Sequence, residues 1–378
     1  MMSRKDKKET LSIPEILFEE DVEKENNDEV VRIDKPYDPK LIDIAPQTLT
    51  LSNIIRRLKE DAIDLSPDFQ RSSNLWNPQK QSLLIESILI RIPLPAFYFD
   101  GANTDKWQVI DGLQRLCAIK NFVVLQELKL TGLEYLSQFE GCTFNELPAP
   151  YQRQIEEANI MAYIMKSGTS NVKYNIFKRI NTGGMVLKPQ EIRNALNQGI
   201  PADFVAELAS SDLFKQVVRI SDKRMQDREF VTRFITFYLN KPEDYKPDLD
   251  TFMSNAMEKL NHHSENERNM IRRNFIASLC LAQIIFDKWA FRKVFNKNEK
   301  LYPINKALFE VWSILLAKLS DTERQIILGK KEDIFNDYIK LINKDTDFVG
   351  AITSQTDNKN KIIYRFSTID TLLKNRLL

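Results

Sequence analysis

The chain of 378 residues holds only three cysteines, two histidines and ten glycines. Cys117, Cys142 and Cys280 are odd in number and far apart. That excludes a disulfide framework and a CxxC metal site built from sequence neighbours. Cys117 lies in an apolar run and reads as a buried thiol, and such sparse usage fits a reducing cytoplasm. His262 and His263 are adjacent and are the only histidines, so an HNH nuclease centre or a His-rich metal site cannot be assembled from them. They read as polar residues at a helix edge. So few glycines leave no flexible linker. Long hydrophobic runs are also missing. The most apolar segment, Phe275 to Phe286, is 12 residues, against roughly 20 for a bilayer span. MMSRKDKKET carries no apolar stretch behind its charges, so no signal peptide is expected. Charge of one sign is missing too: 54 basic against 53 acidic side chains give +1. That argues against a polybasic membrane or histone-like binder and leaves local patches open. There is no P-loop GxxxxGK[ST], no GxSxG and no HExxH.

What is present is ordinary globular material, 43% hydrophobic and 28% charged. At roughly 150 residues per domain the length suggests two domains. Residues 1–45 are charge-dense and read as a mobile lead-in, with Ile13 to Phe18 able to dock as a short helix. Residues 46–200 mix strands and helices. Thr48 to Leu58 reads as a helix on Leu51, Ile54, Ile55 and Leu58, capped by Thr50 or Ser52. Ile63 to Leu65 reads as a short strand. Pro78 opens a helix that ends at IPLP. Ala96 to Asp100 and Trp107 to Ile110 are strands around a polar turn. Leu116 to Val123 reads as a helix, Asn159 to Met165 as a strand, and Val172 to Ile180 and Pro189 to Leu196 as helices. Residues 201–378 form a helical domain with apolar spacing of three and four up to about Lys344. Lys361 to Phe366 (KIIYRF) reads as a closing strand.

Three motifs could carry chemistry. Asp111-Gly112-Leu113-Gln114-Arg115 follows a strand and opens a helix, a place where free backbone N–H groups and the helix dipole suit a phosphate. Gly112 permits the tight turn, Arg115 offers a planar fork of donors, and Gln114 adds neutral ones. Asp111 could hold a metal ion or orient Arg115. The bland alternative is a capped helix with Asp as N-cap and Gln and Arg in solvent. Phe69-Gln70-Arg71, followed by Trp76, reads as a loop with a phosphate-binding Arg71 or a mere surface arginine. Phe177 to Gly184 (FKRINTGG) is first a helix C-cap; its functional reading turns Arg179 and Asn181 into a shared pocket.

Taken in order, PDFQRSSNLW, SLLIESILIRIPLPAFYF, VIDGLQRLCAIKNF and FKRINTGGMVLKPQEIRNAL resemble one family. It is the N-terminal domain of GmrSD-type, modification-dependent (type IV) restriction endonucleases, over about residues 48–200. A softer echo follows at Lys223 to Tyr238. The resemblance implies an α+β chain: a ParB/sulfiredoxin-like domain with a small mixed sheet, then a mostly α-helical domain. It implies a DGQQR-like signature that binds a nucleoside triphosphate and in some members hydrolyses it, with Mg2+ as a companion ion. Asp111 and Arg115 then stand at the catalytic positions. Gln70, Arg71, Gly112, Gln114, Arg115, Arg179 and Asn181 stand at the nucleotide positions. Leu113 stands where the family usually has Gln and removes one polar contact. The HNH half of two-domain relatives lacks the histidines it needs, since only the adjacent His262 and His263 stand after residue 200.

The first expectation is therefore an NTP-binding, NTP-hydrolysing sensor or regulatory component of a restriction or phage-defence system, cutting through a separate nuclease subunit. The second is a non-enzymatic DNA- or partner-binding module, with Arg219 to Arg233 and Arg268 to Arg273 tracking a DNA backbone. The third is a nuclease using the ParB-like domain itself, for which Asp68, Glu86 and Asp111 are the available acids.

Overall fold

Five short strands build one mixed sheet. They are β1 (Asp43–Thr50), β2 (Ile63–Asp64), β3 (Phe97–Asp100), β4 (Trp107–Asp111) and β5 (Asn159–Ser167), in the order β1-β5-β3-β4-β2. The computed structural model describes residues 22–23, 43–65, 76–167, 176, 188–297 and 301–378. β1–β5 and β3–β4 are antiparallel, whereas β3–β5 and β2–β4 are parallel. The chain is thus α+β, a small sheet in the N-terminal part followed by a mostly helical part.

Side chains alternate across a strand, and here both faces are covered. On one face Phe97, Phe99, Trp107, Ala162 and Ile164 pack with α1 (Leu51–Lys59), α2 (Pro78–Leu89), α3 (Leu113–Ile119) and α4 (Ala149–Glu157). On the other, Ile110 and Met165 pack with Ile176 and with Ile192 of α5 (Pro189–Leu196). Pro78 stands in the first turn of α2, and the Asn77 side chain accepts from the Lys80 N–H at 2.8 Å. Glu86, on α2, is buried and accepts from the backbone N–H groups of Glu134, Tyr135 and Leu136 at 3.0, 2.7 and 2.8 Å. Burial alone would raise its pKa, but these three donors outweigh burial and hold the carboxyl below its usual range.

Four expectations change. The helix expected from Thr48 begins at Leu51, because Thr48, Leu49 and Thr50 pair with Met161, Ile160 and Asn159 in the sheet. Thr50 and Ser52 bond each other at 2.7 Å, and neither side chain caps the helix. The lead-in expected over residues 1–45 is ordered in part. β1 starts at Asp43, and Val22 is buried beside Ile304 while Glu23 meets Lys293 at 2.5 Å and Asn305 at 3.0 Å. The closing strand KIIYRF is the first part of α15 (Lys359–Leu377). Asn358 caps it, and Ile362, Phe366, Ile369 and Leu373 bury at helical spacing, so period outweighs the β-branched composition. The helix expected at Leu116 starts at Leu113 and runs on into a π-helical turn, Lys120–Val124.

Between α5 and α15 the helices are α6 (Ile200–Ser210), α7 (Asp212–Val218), α8 (Gln226–Leu239), α9 (Leu249–Leu260), α10 (Glu265–Phe286), α11 (Lys306–Ala317), α12 (Asp321–Gly329), α13 (Lys331–Lys344) and α14 (Thr346–Thr353). Their apolar faces form one core, rich in Phe and Trp edge contacts. Ions are buried within it. Glu310 of α11 is fully buried and is clasped by Arg233 of α8 and Arg365 of α15. Glu229, one turn before Arg233, meets Arg233 at 3.1 Å and Lys306 at 2.8 Å. Burial pushes the Glu229 carboxyl up, yet Lys306, Arg233 and Arg193 bring it down to about 2.

Removing one member of a buried ion group leaves the others uncompensated, at a cost of about 3–5 kcal/mol. Glu310→Ala is therefore expected to lower the unfolding free energy, measured by urea titration, by that much, whereas an exposed control such as Glu332→Ala changes it little. Glu86 and Glu229 both have depressed folded-state pKa values, so their stabilisation is complete above the unfolded value of about 4.3 and is lost as pH falls through the folded one. A urea series from pH 7 to pH 3 should show stability declining below about pH 5, and Glu86→Gln should flatten that decline.

Candidate functional site

The DGLQR segment joins β4 to α3. Asp111 is the last strand residue, and Gly112 follows with φ of 103°, in the left-handed region that favours glycine. A Cβ there would sit 2.5 Å from Cδ1 of Phe97, so the turn also needs the missing side chain. Gly112, not Asp111, occupies the N-cap position, and no side chain caps the helix. The Asp111 carboxylate turns instead to Arg115, Oδ2 to Nη2 at 2.7 Å.

Arg115 is only 8% exposed. Its Nη1 donates to the Pro95 carbonyl, and its Nη2 donates to the Ala96 carbonyl at 3.1 Å as well as to Asp111. The guanidinium also lies 4.3 Å above the centre of the Phe97 ring. Burial lowers its pKa, while Asp111 opposes that shift. Arg115 thus holds the chain before β3 against the end of β4, and the solvated arginine of the bland reading does not occur.

Gln114 is half-buried and accepts the Trp76 N–H on Oε1 at 2.9 Å. Leu65 directly follows β2, whose parallel pairing with β4 sends it toward the Asp111 end of the sheet. The two ends of the segment that contains Asp68, Gln70 and Arg71 therefore lie near the DGLQR turn. Asp68, Gln70, Arg71, Phe177, Arg179 and Asn181 lie outside the described residues, as do the turn at Asn181 to Gly184 and, Ile176 aside, the expected helix from Val172 to Ile180. Leu113 packs half-buried against the core under the sheet.

Two features of the site leave no trace in the sequence. The carbonyls of Pro95 and Ala96 became ligands of Arg115 only through folding. Tyr98 and Tyr163 sit side by side on β3 and β5, their rings stacked at 4.9 Å and 14°. Only the tertiary pairing of two distant strands makes that couple.

Acids for metal chemistry are scattered. Among the described residues no three His, Cys, Asp or Glu side chains converge on a metal position. Glu86, nominated from sequence, is committed to three backbone amides on α2. Asp111 supplies a single carboxylate, which suits Mg2+ only where phosphate oxygens complete the shell. The arginine-rich stretches are largely spent inside the molecule. Arg224 clasps Glu191 at 2.7 and 2.5 Å, Arg233 clasps Glu310, Arg268 meets Glu265 at 2.7 Å, and Arg272 holds both Glu207 oxygens at 2.5 and 2.8 Å. His262 is exposed, and His263 bonds the Lys259 carbonyl at 2.8 Å at the end of α9. No helix among the described residues is long and apolar enough to cross a membrane.

An α+β domain with this strand–turn–helix at its centre finds a match among known families. Residues 51–198 match the family described as GmrSD restriction endonuclease, N-terminal domain. No curated protein and no solved structure matches the chain.

Gly112→Ala forces a side chain into the left-handed region, at about 1–2 kcal/mol, and into contact with Phe97. A fall in thermal midpoint beyond that of an exposed control, Ala102→Ser, is the expected outcome.

Proposed function

We propose that the chain is a nucleoside-triphosphate-binding sensor or regulatory component of a restriction or phage-defence system. The observation that carries this reading is the match over residues 51–198 to the N-terminal domain of a restriction endonuclease, with the DGLQR turn in its midst. In this reading Gly112 and Gln114 face the phosphates together with Gln70, Arg71, Arg179 and Asn181. Arg115 acts as a positioning residue, since its donors already serve Asp111, Pro95 and Ala96. Asp111 orients Arg115 and offers its second oxygen to Mg2+ bound with the phosphates. Leu113 packs into the core where a polar group would otherwise face the ligand, so binding is the primary activity and hydrolysis is secondary. Cutting of DNA falls to a partner nuclease, because the two histidines here are adjacent and stand at the end of a surface helix.

The non-enzymatic DNA-binding alternative draws less support, because Arg224, Arg233, Arg268 and Arg272 are already paired with carboxylates.

Isothermal calorimetry with each common nucleoside triphosphate and Mg2+ tests the reading. Wild type is expected to bind at least one of them, and Gln114→Ala to bind it about fivefold to tenfold more weakly, the worth of about one hydrogen bond to a charged group. Absence of binding by wild type to every triphosphate would sink the assignment. Phosphate release measured on the same samples reports whether Leu113→Gln raises hydrolysis.

A further inference from the structure

The outward face of α10 lacks the charges that a surface helix carries. From Asn274 to Phe286 the helix holds no Asp, Glu, Lys or Arg. A helix without charge around its whole circumference is normally buried, yet this one lies at the surface. Ile271, Phe275, Leu279 and Ala282 face the core. Arg272 reaches Glu207 of α6 on one flank, and Asn274 accepts from Arg324 of α12 at 3.1 Å on the other. Away from the core, Met270 is 55% exposed and Ile284 48%. Cys280 is exposed as well, and half-buried Ala277 stands between them. On neighbouring α13, by contrast, the exposed positions are all charged residues or asparagines. A single exposed apolar residue, such as Pro46 on β1, needs no explanation, whereas a row of them marks an interaction site.

The spacing fixes what kind of surface covers the row. Met270, Arg273, Ala277, Cys280 and Ile284 follow one another at three and four residues. That alternation has the 3.5-residue period that keeps one seam turned toward a second helix along its length. Ala277 and Cys280, both small, sit at the middle and let another backbone approach. Charge indicates whose helix it is. Arg273 toward one end and Asp287 just past the other are exposed, and among the described residues neither side chain has an ion pair or hydrogen bond. Lys288, next to Asp287, lies over the Trp289 ring instead. A face with an unpaired cation and an unpaired anion toward opposite ends complements a reversed copy of itself, as a two-fold interface requires.

We propose that α10 is the interface of a two-fold dimer of this chain, its two copies lying antiparallel with the axis beside Ala277 and Cys280. Ala277 of each copy then faces Cys280 of the other, and Arg273 faces Ile284. The arginine stem packs on that isoleucine while its guanidinium reaches Asp287, about one turn further on. Symmetry makes each of these contacts twice. The seam is short and lies at the small end of specific interfaces, so association in roughly the micromolar range is expected. Assembly of this kind gives a role to the helical part, which stands outside the matched residues 51–198.

Sedimentation velocity on the full chain across micromolar concentrations is the test. Wild type should pass from monomer to dimer as concentration rises. Ile284→Glu places a charge in the seam twice per dimer and should weaken association about tenfold or more. Its thermal midpoint should change little, because the side chain it replaces is already exposed. Arg273→Glu should weaken association as well, by setting like charges against each other at both ends, and adding Asp287→Lys should restore it. That exchange keeps the test decisive should Ile284→Glu fail to fold, as circular dichroism would reveal. A short bis-maleimide should join two copies, and Cys280→Ser should abolish the cross-link while leaving association intact. Wild type that stays monomeric at every concentration overturns the proposal. A dimer that neither Ile284→Glu nor Arg273→Glu weakens has its interface elsewhere and overturns it too.

Discussion

A single buried guanidinium fixes the geometry on which the candidate site depends. Arg115 could not be placed in that interior without partners, since an unpaired buried charge costs several kcal/mol. It finds three acceptors on two stretches of chain: the adjacent Pro95 and Ala96 carbonyls before β3, and the Asp111 carboxylate at the end of β4. The Phe97 ring closes the fourth side. The start of β3, the end of β4 and the first turn of α3 are thereby locked together. The left-handed Gly112 is the backbone counterpart of the same constraint, because only an absent side chain lets the turn approach Phe97 so closely.

The second organising feature is α5, which belongs to both parts of the molecule. Ile192 and, half-buried, Ala195 and Leu196 pack toward Ile110, the residue just before Asp111. Its other side is polar and enters the helical part. Gln190 bonds Thr232 at 2.9 Å, Arg193 meets Asp250 at 2.8 Å, and Glu191 clasps Arg224. Arg224 and Met225 both adopt left-handed backbone, with φ of 59° and 57°, a conformation that costs non-glycine residues energy. The clasp to Glu191 helps to hold that turn. The ionic centre around Glu310 then ties α8, α11 and α15 to one another. Apolar contact with the sheet and ionic contact with the helices meet on two turns of one helix.

Much of the fold was legible because period and punctuation agreed. Pro78 marked the start of α2, and the apolar runs at Phe97 and Trp107 marked two paired strands. The errors arose where local preference and tertiary context diverged. Lys361 to Phe366 has the β-branched composition of a strand, but the longer spacing from Ile362 to Leu373 makes it helix. Thr48 to Thr50 carries the first letters of an amphipathic helix, yet pairing with β5 claims them for the sheet. At the site, the motif and its glycine were visible in the sequence. The burial of Arg115 was not, because its acceptors are carbonyls with no sequence signature. The Tyr98–Tyr163 couple was hidden for a related reason: strand order, not sequence distance, makes those two neighbours.

The exposed proline on β1 has a consequence for assembly. β1 is an edge of the sheet among the described residues, and a proline has no N–H to offer a further strand. The opposite edge, β2, is two residues long. Neither margin presents a continuous ladder of free amides, the template that an added strand from another chain requires. The described sheet therefore resists growth by strand addition. A macromolecular partner would have to recognise side chains on the helices and loops.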